Sequence, residues 1–234
     1  MGGQACVFYG AAQVSKDVDL ILLGEEANFE RLRSALEQLQ AWRIAVPPFD
    51  PAALARGHAV HFRCQGGDAD GLRIDVMTRL RDLPEFSVLW ERRTAVADAA
   101  GDEFQLLSVP DLVGAKKTQR PRDWPIIELL VSIHFRENGA NPRPDWVQFW
   151  LREARTPELL AELFQRFPAE AAALAGCRPL LGLAGTGDDE ALRAALDAEA
   201  RAEQAKDRAY WAPLKAEIEA FRRAERVAAK PQNP

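Results

Sequence analysis

Cysteine is scarce in this chain of 234 residues, with three in all, and the three are widely separated. Cys6, Cys64 and Cys177 form no C-x-x-C pair, so neither a disulfide framework nor a thiolate zinc site is indicated, and a reducing, cytoplasmic setting is expected. His58 and His61 precede Cys64 at a spacing of three, but residues three apart on a strand face opposite sides, which argues against a zinc cluster.

Long apolar runs and a basic excess are also missing. No stretch approaches the ~18 apolar residues of a membrane span, and no basic stretch followed by an apolar one marks a signal peptide. The formal net charge of -5 argues against a surface that coats nucleic acid as a whole, although a local basic patch remains open. We therefore expect a soluble protein that makes no membrane contact.

The first part of the chain, residues 1–108, has the patterns of an α/β domain built on a mixed sheet with flanking helices. Apolar residues at three- and four-residue spacing predict a helix over 28–40. Turn formers between the third and fourth strands predict a hairpin with a long loop. The predicted strands are 18–23, 42–46, 58–63, 72–77 and 104–107.

After a boundary near residue 108, the second part, 109–234, carries only helical patterns. Predicted helices cover about 111–119, 124–136, 146–153, 157–167 and 188–229. The last stretch is rich in alanine and mixed charges, and Pro213 is expected to interrupt it and make a helical hairpin. The tail at 231–234 is expected to fray.

Two carboxylates stand side by side at the start of the first strand. Asp17 and Asp19 flank Val18, and because side chains alternate across a strand, both point to one face. Like charges held this close favour a shared cation, and hard oxygen ligands suit Mg²⁺ or Mn²⁺. Taken alone, the pair could instead cap a helix or solvate a strand end.

The residues around this pair resemble a known superfamily. Gly2-Gly3, thirteen intervening residues and Asp17-Val18-Asp19-Leu20 are similar to the signature of the DNA polymerase β-like nucleotidyltransferases. Within it, Phe8-Tyr9-Gly10 and Ser15-Lys16 look most like the bacterial minimal nucleotidyltransferases grouped with AbiEii-type toxins, over roughly the first 130 residues. The resemblance implies that the glycine pair, in a turn before a helix starting near Gln4, cradles the triphosphate of an NTP with help from the Ser15 hydroxyl.

The same resemblance implies a third carboxylate on a later strand, and Asp75 is the matching position. An acid among apolar strand residues is costly to bury without a cation or donors, which favours Asp75 over Asp68, Asp70 and Asp82. The alternative is a salt bridge from Asp75 to Arg73 or Arg79.

A basic segment follows the domain boundary. Lys116 and Lys117 resemble the helix in which a lysine of these enzymes faces the nucleotide phosphates. Adjacent helical residues project about 100° apart, so only one of the two can do so, and Lys116 is favoured. The alternative is a solvated helix end. Asp123 is expected to cap a helix or pair with a basic residue.

Two departures from the signature qualify these expectations. An Arg-x-Thr before the acid pair is replaced by Gln13-Val14-Ser15, which removes a cation and predicts weaker activity. The resemblance also implies a strand before Gly2, which this sequence does not contain. The first strand is therefore expected to be missing, either because translation starts further upstream, which we favour, or because the sheet is reduced.

These features predict a metal-dependent nucleotidyltransferase. Asp17 and Asp19 would hold two Mg²⁺ or Mn²⁺ ions, and Asp75 would complete the site of the second ion and help to activate the attacking hydroxyl. The enzyme would transfer a nucleoside monophosphate from an NTP to an acceptor hydroxyl on a tRNA end, a protein or a small molecule. The prediction includes a toxin-like role, in which an antitoxin would be the partner of this protein. The alternatives are a non-catalytic nucleotide-binding or interaction module and an accidental match in an α/β domain with a helical extension.

Overall fold

The computed structural model describes residues 1–228, and within them the chain is mixed α and β. It divides into two compact units. One contains Met1–Ala5, Val14–Ser108 and the last helix from Arg208 on, and the other contains Cys6–Gln13 and Val109–Asp207. Along residues 1–228, no helix is both long and apolar enough to cross a membrane.

The first unit is built on a four-stranded sheet with the order β1-β4-β3-β2. β1 and β4 are parallel, whereas β3 pairs antiparallel with β4 and with β2. The predicted hairpin is therefore confirmed as β3–β4, with a 3₁₀ turn at Gly67–Ala69 in its loop. The strands are β1 (Asp17–Ile21), β2 (Trp42–Arg43), β3 (Val60–Arg63) and β4 (Arg73–Met77).

One face of this sheet packs on two helices, α2 (Glu26–Gln38) and α3 (Pro51–Ala55). Asp50 and Pro51 start α3 in the expected way, because the Asp50 side chain accepts a hydrogen bond from the Ala52 N–H while proline occupies the first turn. The buried core joins residues from both helices and the sheet: Phe29, Leu36, Leu54, Val60, Phe62, Cys64, Ile74 and Val76. The alternation predicted for the strands therefore selects the face that is buried.

The remaining elements of this unit differ in part from the sequence patterns. The helix α1 (Gly2–Phe8) begins at the glycine pair, which corrects the expected start near Gln4. A second sheet pairs β5 (Thr94–Ala97) with β6 (Glu103–Leu106), beyond a short helix α4 (Phe86–Glu91). Only β6 was predicted.

The second unit is helical. Its helices are α5 (Val109–Lys116), α6 (Trp124–Asn138), α7 (Pro144–Glu153), α8 (Pro157–Arg166), α9 (Pro168–Leu174) and α10 (Leu181–Ala184), together with the first part of α11 (Asp189–Ala228). Proline in the first turn of α6, α7, α8 and α9 sets the backbone for the helix without losing an internal hydrogen bond.

The prediction that Pro213 interrupts the last helix is wrong. α11 is continuous from Asp189 to Ala228 with Pro213 inside it. One proline removes a single N–H donor, and the surrounding alanine, glutamate and lysine residues are strong helix formers. Leu214, only 5% exposed, anchors the helix right after the proline. Ala229 and the tail predicted to fray lie outside the described residues.

Candidate functional site

The sheet face opposite the core carries the acid residues singled out from the sequence. Asp17 and Asp19 occupy alternate positions on β1, and the register with β4 places Asp17 opposite Arg73 and Asp19 opposite Asp75. Adjacent strands lie about 4.8 Å apart, so these four residues form one patch of the sheet. We call this surface, defined by Asp17, Asp19, Arg73 and Asp75, the acid face.

The glycine pair lies directly against the acid face. Gly2 adopts a φ of 70°, and a Cβ atom at this position would fall 1.8 Å from Asp19 Oδ2. The Gly3 N–H donates a hydrogen bond to the same oxygen at 3.3 Å. Only glycine allows the backbone to approach the carboxylate this closely, so the first glycine and the second acid of the motif are brought together in space.

Ser15 lies against the second glycine of the pair. A Cβ atom on Gly3 would fall 2.3 Å from Ser15 Oγ. The Ser15 hydroxyl donates to the Asp17 carbonyl at 3.0 Å, and the terminal ammonium of Met1 donates to the Asp19 carbonyl at 2.9 Å. The residues predicted to bind nucleotide in the first unit, Gly2, Gly3 and Ser15, therefore all contact β1.

Asp75 is held by two partners. Arg73 Nε lies 2.7 Å from Asp75 Oδ1 and Arg73 Nη2 lies 2.9 Å from Oδ2, which makes a bidentate pair. His61, opposite Asp75 in the β3–β4 register, brings Nδ1 within 2.8 Å of Oδ1. Burial opposes ionisation of this carboxyl group, but the hydrogen bonds from His61 and Arg73 outweigh it and lower the pKa of Asp75.

The salt-bridge alternative considered for Asp75 is thus present in the structure, with Arg73 as the partner. Among residues 1–228, no three His, Cys, Asp or Glu side chains converge in a way that could hold a metal ion. Asp17 and Asp19 still offer hard oxygen donors on one strand face, a donor set that fits Mg²⁺ or Mn²⁺. The third donor, Asp75, is engaged by a guanidinium group instead.

The acids not chosen from the sequence lie in loops. Asp68 belongs to the hairpin turn, Asp70 accepts from the Gly66 N–H at 2.8 Å, and Asp82 pairs with Arg81. Asp75 differs from them because it lies on a strand and its side chain is 14% exposed. Strand position and burial are the properties on which its selection was based.

His58, His61 and Cys64 point to different surroundings. His58 is fully buried and its Nε2 lies 2.9 Å from Glu217 Oε2 on α11. Cys64 is in the sheet core, whereas His61 is on the acid face. Arg73 was named from the sequence as a possible partner of Asp75, but His61 was missed as a member of the site, and the pairing of β3 with β4 was the signal that could have found it.

In the second unit, the two adjacent lysines have different partners. Lys116 Nζ lies 3.6 Å from Asp123 Oδ1 and Lys117 Nζ lies 2.5 Å from Glu153 Oε1. This divergence agrees with the angle between neighbouring helical residues. Asp123 also pairs with Arg120 at 2.9 Å, so its predicted pairing with basic residues is confirmed, while its side chain makes no capping hydrogen bond to α6.

Comparison of the chain with protein-family models, with curated proteins and with solved structures found no match. The resemblance to the nucleotidyltransferases therefore rests on the glycine pair, the acid residues and their arrangement in the first unit.

Proposed function

We propose that this protein is a metal-dependent nucleotidyltransferase. The observation that carries the proposal is the contact between the Gly2 backbone and the Asp19 carboxylate, on a strand whose acids share one face. A glycine pair and an Asp-x-Asp separated by thirteen residues could match a signature by chance. Their contact in space is what a phosphate- and metal-binding site would require of them.

The reaction would transfer a nucleoside monophosphate from an NTP to an acceptor hydroxyl. The acceptor oxygen forms a bond to the α-phosphorus, the bond from the α-phosphorus to the bridging oxygen breaks, and pyrophosphate leaves with the electron pair. The hydroxyl proton passes to solvent. The chain's contribution is to position the triphosphate and to balance its charge.

Asp17 and Asp19 would hold Mg²⁺ or Mn²⁺, which supplies positive charge at the phosphates when bound. The bare backbone of Gly2 and Gly3 packs directly against Asp19 and Ser15, so a phosphate oxygen would have to replace Asp19 Oδ2 as the acceptor of the Gly3 N–H. The Ser15 hydroxyl would likewise have to leave the Asp17 carbonyl to donate to a phosphate. Lys116 or Lys117 is proposed as a phosphate contact from the resemblance alone. To contact a phosphate, the lysine would have to release the carboxylate with which it is paired. Asp75 remains the proposed third carboxylate, and its side chain is paired with Arg73.

The acceptor class comes from the resemblance to toxin-like enzymes. A tRNA end or a protein hydroxyl is proposed ahead of a small molecule, and an antitoxin is a proposed partner.

The second candidate function is a nucleotide-binding module without catalysis. The Arg73–Asp75 pair favours this candidate, because it engages one of the three carboxylates of the acid face with a guanidinium group instead of an ion.

The test is calorimetry of Mn²⁺ with each of the four NTPs, joined to an assay of pyrophosphate release with and without bulk tRNA. We expect Asp17→Asn combined with Asp19→Asn to abolish both signals. The matched control is Asp68→Asn combined with Asp70→Asn, an Asp-x-Asp of the same spacing in the exposed hairpin loop. Equal binding by the parent and the first double variant would contradict a metal role for the acids, and binding without pyrophosphate release would favour the module.

A further inference from the structure

Arg73 is the one basic side chain among the four residues that define the acid face. It lies opposite Asp17 in the parallel register, and it shares its strand face with Asp75, two residues further along β4. Asp75 in turn lies opposite Asp19. The guanidinium group is therefore placed by the sheet itself among three carboxylates.

The contacts of Arg73 orient its guanidinium group towards Asp75 and His61. Nε and Nη2 both bond Asp75, and Nη2 also lies 3.1 Å from His61 Nδ1. The pKa of Arg73 is raised by its hydrogen bond to Asp75, although burial acts in the opposite direction, and the charges of Asp75, Asp17 and Asp19 raise it further. The charges of all three acids thus act on one guanidinium group.

Charge balance then limits what else the acid face can hold. Within the acid face, three carboxylates and one guanidinium leave two negative charges, and the Met1 ammonium lies beside them at the Asp19 carbonyl, so a single divalent cation is enough to balance the site. A second divalent ion would have to displace Arg73 from Asp75 or be placed beside its positive charge. Either arrangement is unfavourable because cations held a few ångström apart repel each other.

We propose that Arg73 takes the place of a second metal ion, so that the site binds one divalent cation through Asp17 and Asp19 while Asp75 serves as the anchor of the guanidinium group. This inference rests on the proposed function. Arg73 then determines the metal stoichiometry of the site. A guanidinium fork matches phosphate oxygens in geometry, so it can also supply the positive charge that a second ion would bring to the triphosphate.

The experiment is a titration of the full chain with Mn²⁺ alone, in which the paramagnetic resonance signal of free Mn²⁺ gives the number of ions bound. We expect one ion for the parent. Arg73→Gln keeps a hydrogen-bonding side chain without the charge, and we expect it to bind a second ion or to bind the first on the order of tenfold more tightly, since one nearby charge shifts an ionic equilibrium by about that much or more.

The matched control is Arg63→Ala. Arg63 is exposed, lies next to Arg73 in the β3–β4 register and donates to the Gly71 carbonyl. We expect its Mn²⁺ affinity to stay within about twofold of the parent, because exposed charges contribute little. Arg73→Gln combined with Asp75→Asn is a second variant, which removes one charge of each sign and so keeps the net charge of the acid face. It should bind one ion with nearly unchanged affinity, because Asp75 is not a ligand in this proposal.

The outcomes separate this inference from the proposed function. Two ions bound by the parent, a loss of Mn²⁺ affinity on the order of tenfold in the double variant, or an Arg73→Gln variant that titrates like the parent would each overturn the role of Arg73 and leave the nucleotidyltransferase proposal standing. Absence of any bound Mn²⁺ in both the parent and Arg73→Gln would overturn both proposals. Melting followed by circular dichroism verifies that each variant is folded.

Discussion

The two faces of the four-stranded sheet are made by the same strands and have opposite chemistry. On one face, Val60, Phe62, Ile74 and Val76 are between 0% and 6% exposed and pack under α2 and α3. On the other, the alternate positions carry acids, Arg73 and His61. The difference separates core-forming positions from charged positions within single strands, because each residue belongs to one face only.

The acid face is costly for the fold. Carboxylates in neighbouring positions repel each other, and a half-buried charge loses hydration unless a partner replaces it. For Asp75, Arg73 and His61 are those partners, and they offset the cost. Three substitutions, from the largest expected effect on stability to the smallest, can sharpen or break this contrast.

Phe62→Ala on the core face should have the largest effect. Phe62 is 4% exposed and its ring meets that of Phe49 edge-on at 5.7 Å. We expect a loss of about 3–5 kcal/mol in the free energy of unfolding, measured with urea, because truncation leaves a cavity. The adjacent Arg63→Ala, on the opposite face, should change it by less than about 0.5 kcal/mol. Equal losses at the two positions would contradict the division between the faces.

Asp75→Asn on the acid face should have an intermediate effect that depends on pH. Because the pKa of Asp75 in the folded chain is below its usual 3.8, ionised Asp75 stabilises the fold above that pH, and the contribution disappears as the pH falls through the lower folded value. With EDTA present, we expect the variant to lose about 1–3 kcal/mol at neutral pH, as for a hydrogen-bonded charge. The stability difference between parent and variant should narrow as the pH falls below 3.8.

Exposed Asp68→Asn serves as the control for this measurement and should show no such gap. A gap between parent and Asp75→Asn that stays constant from neutral to acid pH would show that the ionised carboxylate is not the stabilising form.

Gly2→Ala should have the smallest effect on stability and a separate effect on metal. Gly2 and Gly71 both have positive φ, 70° and 75°, but an added Cβ meets Asp19 at the first position and no atom within 4 Å at the second. Each change to alanine should cost about 1–2 kcal/mol for the backbone conformation. Only Gly2→Ala should also weaken Mn²⁺ binding, because the Asp19 carboxylate must move. Equal Mn²⁺ affinities in the two variants would remove the glycine contact from the site.

The parts of the fold that could be predicted from sequence are those with a strong local period. β1, α2, the β3–β4 hairpin and most helices of the second unit follow from alternation or from three- and four-residue spacing. β5 was missed because its small side chains, Thr94-Ala95-Val96-Ala97, alternate only weakly in hydrophobicity. The continuous α11 was missed because tertiary packing, as at the buried Leu214, overrides the local effect of one proline.

In the candidate site, too, the local pattern predicts some features, and others depend on how the strands pair. That Asp17 and Asp19 share a face follows from alternation within one strand. That Asp75 lies opposite Asp19, with Arg73 and His61 as its partners, depends on the register between β1, β4 and β3. Register is set by the packing of whole strands, and a slip of one residue would reverse the face of every side chain.

The distribution of the three thiols gives the molecule an internal reporter of local opening. Cys177 is exposed, whereas Cys6 and Cys64 are buried and belong to different compact units. A maleimide or a disulfide exchange reagent should therefore modify Cys177 first. The slower modification of the other two, resolved by peptide mapping, would time the opening of each unit separately in the unmodified sequence.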